Sequence, residues 1–175
     1  MRKKVAELEQ ALLGHFGPHQ RFLVAQQLAH IDRLDATIGQ VSAEIAKRLL
    51  PYEAELRRLE TIPGGGRRSA EIIIAELGAN LERFPTARHL ASWAGLCPGN
   101  QESAGKRYSG KTRKGDPWLR EALVEAALSA GRTKDTYLAA QYRRLAARRG
   151  KKTAAVAVAH TLLVVVYHLL TRGQD

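Results

Sequence analysis

One cysteine, Cys97, stands in the whole chain. A single thiol excludes an internal disulfide and the zinc sites built on several cysteines, and it fits a reducing cytoplasm. Carboxylates are also thin on the ground in one half. Residues 61–175 carry nine Asp/Glu against nineteen Lys/Arg, whereas residues 1–60 are nearly balanced at eight against nine. Two-metal phosphoryl chemistry needs several converging carboxylates. Only Glu102 and Asp116 lie near the most basic stretch, and no HExxH, DxD or histidine-rich spacing occurs. The chain by itself therefore offers no metal site. Strict strand-like alternation and internal repeats are missing as well. The start MRKKVAELEQ has positive charge but no apolar run behind it, which argues against a secretory signal.

What is present is apolar residues and positive charge. A 45% hydrophobic content over 175 residues suits one globular domain, or a small domain with an appendage. The formal charge of +11 is concentrated in the second half. A field of that kind attracts phosphate-rich partners, the plain alternative being a soluble basic surface. Residues 153–170, TAAVAVAHTLLVVVYHLL, run for eighteen residues without a formal charge, the lower limit for a membrane span. The alanines, His160, His168, Thr153 and Thr161 favour instead a helix buried at the centre of a bundle, with no membrane partner.

Helical periodicity dominates. Val24, Leu28, Ile31, Leu34, Ile38, Val41, Ile45 and Leu49 recur at spacings of three and four, close to a heptad seam. Residues 20–49 are expected to form one long helix whose seam needs a partner, either within the chain or in a second copy. Pro51 ends or kinks it, and a short helix to about Glu60 follows. These elements define a helical, coiled-coil-type region over 1–58 and a compact helical domain over 59–175.

The domain opens on LETIPGGGRRSAEIIIAELG, residues 59–78. Helix, triple-glycine turn and a second helix from Arg67 to the C-cap Gly78 resemble a helix-hairpin-helix DNA-backbone element. Orphan amides at a helix mouth favour an anion. Gly64, Gly66, Arg67 and Arg68 are the expected phosphate contacts. The apolar residue usual between the two glycines is replaced by Gly65. A plain interhelical turn is the alternative. A helix near Thr86–Ala94 comes next, then the stretch 95–116, then a helix capped by Asp116 with Pro117 at its first position. Gly150 separates a further amphipathic helix from the apolar C-terminal one. The expected fold class is all-α.

The stretch QESAGKRYSGKTRKGDPWLR, residues 101–120, holds two serines beside Gly-Lys pairs. The literal phosphate-loop pattern G-x-x-x-x-G-K-[ST] matches at 105–112, but no hydrophobic strand precedes Gly105 and no helix follows Thr112. Serine attack on a phosphodiester needs an unencumbered hydroxyl, cations around the phosphoryl oxygens and a proton acceptor. Ser103 and Ser109 both satisfy the first two. Candidate acceptors are His89, Tyr108 and Glu102. Lys106, Arg107, Lys111, Arg113, Lys114 and Arg120 are the expected phosphate clamp.

From about residue 20 to 171, and most specifically over RFPTARHLASWAGLCPGNQESAGKRYSGKTRKGDPWLR, the sequence resembles the C-terminal part of insertion-sequence transposases of the IS-one-ten family, which are bridge-RNA-guided DNA recombinases. The resemblance implies a catalytic serine after a Gly-Leu-x-Pro turn. Here that turn is Gly95-Leu96-Cys97-Pro98 and the serine is Ser103. It also implies attack on DNA with a covalent phosphoserine link, and DNA, a guide RNA and further copies of the chain as partners. Family members carry in addition an N-terminal RuvC-like domain with four acidic residues that bind magnesium. No such part is seen here, so no cofactor is expected in this chain, and magnesium belongs to the acidic half. A truncated, inactive nucleic-acid-binding or oligomerising remnant is the alternative.

Overall fold

The structure, a computed structural model, describes residues 5–12, 14, 17–99 and 101–173, and the side chains among them other than those of residues 5, 6, 8, 12, 101, 102 and 107–109. Two compact units divide between Leu50 and Pro51.

The first unit contains α1 (Val5–Leu12) and α2 (Pro18–Leu49). Pro18 supplies the preset φ that suits a first helical turn. Gly17 before it donates its N–H to Gln20 Oε1 at 2.6 Å, satisfying an otherwise orphan donor. Lys47 and Arg48 sit in the last turn, where the helix dipole favours cations. At 32 residues α2 is about 48 Å long. None of its residues is buried. Phe22, Leu23, Val24, Leu28, Ile31, Leu34, Ile38 and Val41 stand exposed, and Ile45 and Leu49 are half-buried.

The second unit begins at Pro51 rather than at residue 59. The reason is burial. α3 (Glu53–Glu60) sinks Leu56 and Leu59 into the core, at 0% and 1% exposure. α4 (Arg67–Leu77), α5 (Ala87–Trp93), α6 (Pro117–Arg132) and α7 (Tyr137–Arg149) follow, and α8 (Lys151–Arg172) closes the chain. α8 is the central helix. It packs on α3, α5, α6 and α7, while α4 packs on α3 and α6. Val158, Leu162, Leu163 and Val166 are fully buried, so core packing accounts for the apolar run that also meets the length and composition of a span. Local signals placed the helix ends. Asp116 Oδ1 accepts the Leu119 N–H at 2.7 Å, Gly78 ends α4 at φ +73, and Gly150 at φ +83 lies between α7 and α8.

All-α describes the fold, with one small addition. β1 (Gln101–Ser103) and β2 (Lys106–Ser109) form an antiparallel hairpin where a loop was expected. Two strands of three and four residues are too short to reveal alternation in sequence.

Candidate DNA-processing site: the serine hairpin

The hairpin grows out of α5. Leu90 and Ala91 anchor that helix in the core, and its last turn closes through Leu96 N–H to Ala91 O at 3.0 Å. The chain reverses at Gly95, φ +66, and Leu96 is buried beneath the turn. Gly99 N–H then bonds Lys111 O at 3.0 Å, and Pro98 bridges Thr112, so the two legs are zipped below the strands. Gly95 and Gly115 touch backbone to backbone. A Cβ on Gly115 would lie 2.2 Å from Gly95 N, which leaves no room for any side chain.

Strand register puts Ser103 opposite Lys106, Glu102 opposite Arg107 and Gln101 opposite Ser109, with a bulge between Gln101 and Glu102. The turn between Ser103 and Lys106 is Ala104-Gly105, both in the left-handed region at φ 51 and φ 74. Two consecutive positive φ values define the type I′ turn that matches strand twist. Glycine takes that conformation freely, whereas alanine is strained in it by about 1–2 kcal/mol. Ser103 and Lys106 are exposed at this tip, on one face of the ribbon, and nothing would crowd a Cβ at Gly105. The serine hydroxyl makes no hydrogen bond among the described residues. His89, one candidate acceptor, is paired with Thr86 Oγ1 at 2.9 Å. The side chains of Glu102, Arg107, Tyr108 and Ser109 lie outside the described residues.

The expected cations fall into two groups. Lys106, Arg113 and Lys114 are exposed and make no side-chain hydrogen bond or ion pair among the described residues. Lys111 is exposed and has an interaction of its own. Arg120 instead braces the site from α6. Its guanidinium donates to Gly95 O at 2.9 Å, Thr112 Oγ1 at 2.9 Å and Arg113 O at 3.4 Å. Those bonds tie both legs of the hairpin to the first turns of α6. Sequence reasoning placed Arg120 in the clamp; the geometry gives it internal acceptors.

The triple-glycine turn is built differently. Arg67 meets three carboxylates: Glu53 at 2.7 Å, Glu60 at 3.3 Å and Glu71 at 3.4 Å. Its pKa is raised, chiefly by the hydrogen bond to Glu53, and that same bond lowers the pKa of Glu53. Arg68 pairs with Glu71 at 3.5 Å. Gly64, φ +85, lies against α6, where a Cβ would come within 2.4 Å of Ala126 O. Gly66 forms the α4 N-cap with open space around it. The turn is thus pressed onto α6, with Arg67 ion-paired in place and Arg68 67% exposed.

Two features went unnoticed in the sequence. Glu76 on α4 lies beside Asp116, and burial first, then the neighbouring Asp116 carboxylate, raise its pKa. Trp118 projects from the first turn of α6 at 67% exposure. Its position off the stripe Leu119, Ala122, Leu123, Ala126 and Ala127 was the available signal. Among the described residues no group of three or more His, Cys, Asp or Glu side chains is placed to hold a metal ion.

Comparison with known proteins places the chain among insertion-sequence transposases. It is 32% identical over 158 residues to "Putative transposase y4pF/y4sB" of Sinorhizobium fredii, covering 81% of this chain and 40% of that protein. It is 29% identical over 144 residues to "Transposase for insertion sequence element IS1111A" of Coxiella burnetii, covering 80% of this chain and 39% of the relative. Residues 56–143 match the transposase family IS116/IS110/IS902. The chain belongs to that family, and it spans about two fifths of the length of these relatives.

Proposed function

We propose that this chain acts in DNA transposition as the serine-bearing part of an insertion-sequence transposase, with Ser103 as nucleophile. The observation that carries the reading is the tip geometry: an exposed serine on a two-residue turn, opposite Lys106, on a hairpin held by Arg120. Ser103 Oγ attacks the phosphorus of a DNA phosphodiester. The P–Oγ bond forms, the P–O3′ bond breaks, and the leaving 3′ oxygen is protonated while the serine proton passes to solvent or to a base brought by a partner. Attack on the phosphoserine by another strand's 3′-hydroxyl reverses these steps and frees the serine. Lys106, Arg113 and Lys114 stabilise the charge on the phosphoryl oxygens. A RuvC-like acidic part of the kind this resemblance implies would hold magnesium.

The uncovered seam of α2 supports association with a second copy, since a 32-residue helix with exposed heptad positions gains stability by covering them. DNA and a guide RNA are the remaining partners, and a DNA-handling role places the protein in the cytoplasm. The test is trapping of a covalent protein–DNA adduct with the acidic part supplied. Ser103→Ala abolishes the adduct and retains DNA binding; an unchanged adduct yield contradicts the assignment and turns attention to Ser109.

A further inference from the structure

We propose that the indole of Trp118 is a stacking shelf for an unpaired DNA base beside the serine hairpin, an inference that rests on reading the hairpin as a DNA site. The comparison with Trp93 makes the point. Trp93 is 40% exposed but occupied: its ring lies 5.5 Å from that of Phe84, and the Arg83 guanidinium sits 5.3 Å above it. Trp118 has no ring or cation partner among the described residues. A large aromatic left in water forgoes its burial energy, and its neighbours in α6, Leu119 and Ala122, are buried without it.

The shelf is rigid. Pro117 precedes it with a fixed φ, Asp116 caps the helix two residues before it, and Arg120 two residues after it binds Gly95 and Thr112. An indole has only two χ angles to immobilise, so little entropy is lost when a ring settles on it.

Charge selects the occupant. Residues 112–118 hold Arg113 and Lys114 against Asp116, which caps the helix and lies beside Glu76. Glu121 follows one turn later and is exposed, so the cationic side of the shelf is the side of the hairpin. Cations leading to an open aromatic face are the arrangement that holds single-stranded nucleic acid, phosphates on the former and a base on the latter. A base inside a duplex has both faces covered and cannot use the shelf.

The test uses the full chain carrying Trp93→Phe, which leaves Trp118 as its one indole. Oligothymidylate and a blunt duplex of equal length are titrated while indole emission and the anisotropy of labelled DNA are read. Saturable quenching by oligothymidylate is expected. Trp118→Ala weakens that binding about tenfold, in line with the stacking energy per base, and leaves duplex binding unchanged. Trp118→Phe retains most of the affinity, whereas Trp118→Leu, apolar but unable to stack, behaves as alanine. Single-strand binding that is indifferent to Trp118→Ala, or rescued by leucine, overturns the shelf. A Trp118→Ala variant that changes only the oligomeric state assigns the indole to a protein contact instead. Single-strand binding with no Trp118 dependence, beside intact duplex binding, sinks this inference alone; absence of binding to either DNA sinks the DNA reading of the hairpin with it.

Discussion

The triple-glycine turn and the serine hairpin are written with the same residues, glycines next to arginine and lysine. In the first, Arg67 is enclosed by Glu53, Glu60 and Glu71, and Gly64 is a contact point with the α6 backbone. In the second, Gly105 opens a turn into empty space, and Lys106, Arg113 and Lys114 have no carboxylate partner among the described residues. Glycine beside a cation therefore occurs in two different electrostatic settings in this fold. What separates the two is whether acidic side chains from neighbouring helices reach the cations first.

The comparison predicts opposite phenotypes. The largest effect is expected at Gly64→Val, which forces a branched side chain into the Ala126 carbonyl at a left-handed φ. Overpacking and backbone strain together cost on the order of 3 kcal/mol or more, read as a lower denaturation midpoint. Next comes an exchange of roles between cations. Replacing Lys106, Arg113 and Lys114 together by alanine lowers DNA affinity roughly 100-fold at 0.15 M salt and flattens the salt dependence by about one unit per lost contact, without lowering thermal stability. Arg67→Ala does the reverse, lowering the melting temperature while leaving the salt slope unchanged. A phosphate role for Arg67 as strong as that of the hairpin cations would erase the distinction.

A smaller effect tests the tip. Ala104→Val cannot adopt the left-handed φ cheaply, and the hairpin loses about 1–2 kcal/mol of local stability. Amide hydrogen exchange at Lys106 is expected to quicken, whereas Ala104→Asn retains protection. The smallest effect concerns Glu76. Its carboxyl has a raised pKa in the folded chain, so the protonated form is the one that folding favours. Stability from this group is therefore greatest below pH 4.5 and declines as pH rises through the raised value. Glu76→Gln flattens that decline, visible as a modest gain in melting temperature at pH 7 and none at pH 4.

Much of the helical framework was legible because its signals are local. Asp116 before Pro117, Gly78 after a periodic run and Gly150 between two helices each act within one turn of themselves. The uncovered seam of α2 was likewise readable from spacing alone. The unit boundary was harder to see, since it depends on Leu56 and Leu59 meeting distant helices. The hairpin was hidden by Ala104, which stands where asparagine or glycine would announce a type I′ turn. The ion pair of Arg67 could not be read locally, because Glu53, fourteen residues earlier, becomes its partner only in the fold. The bracing bonds of Arg120 were hidden for the same reason, its acceptor Gly95 lying twenty-five residues away.

The central claim is that the chemistry belongs to the tip of the hairpin and to one hydroxyl there. Denaturing electrophoresis of the chain incubated with labelled DNA and the acidic part measures it directly, by scoring a DNA-shifted protein band. The account predicts a shifted band for the unaltered chain and for Ser109→Ala, and none for Ser103→Ala despite retained DNA binding. A shifted band of equal intensity from Ser103→Ala would contradict it.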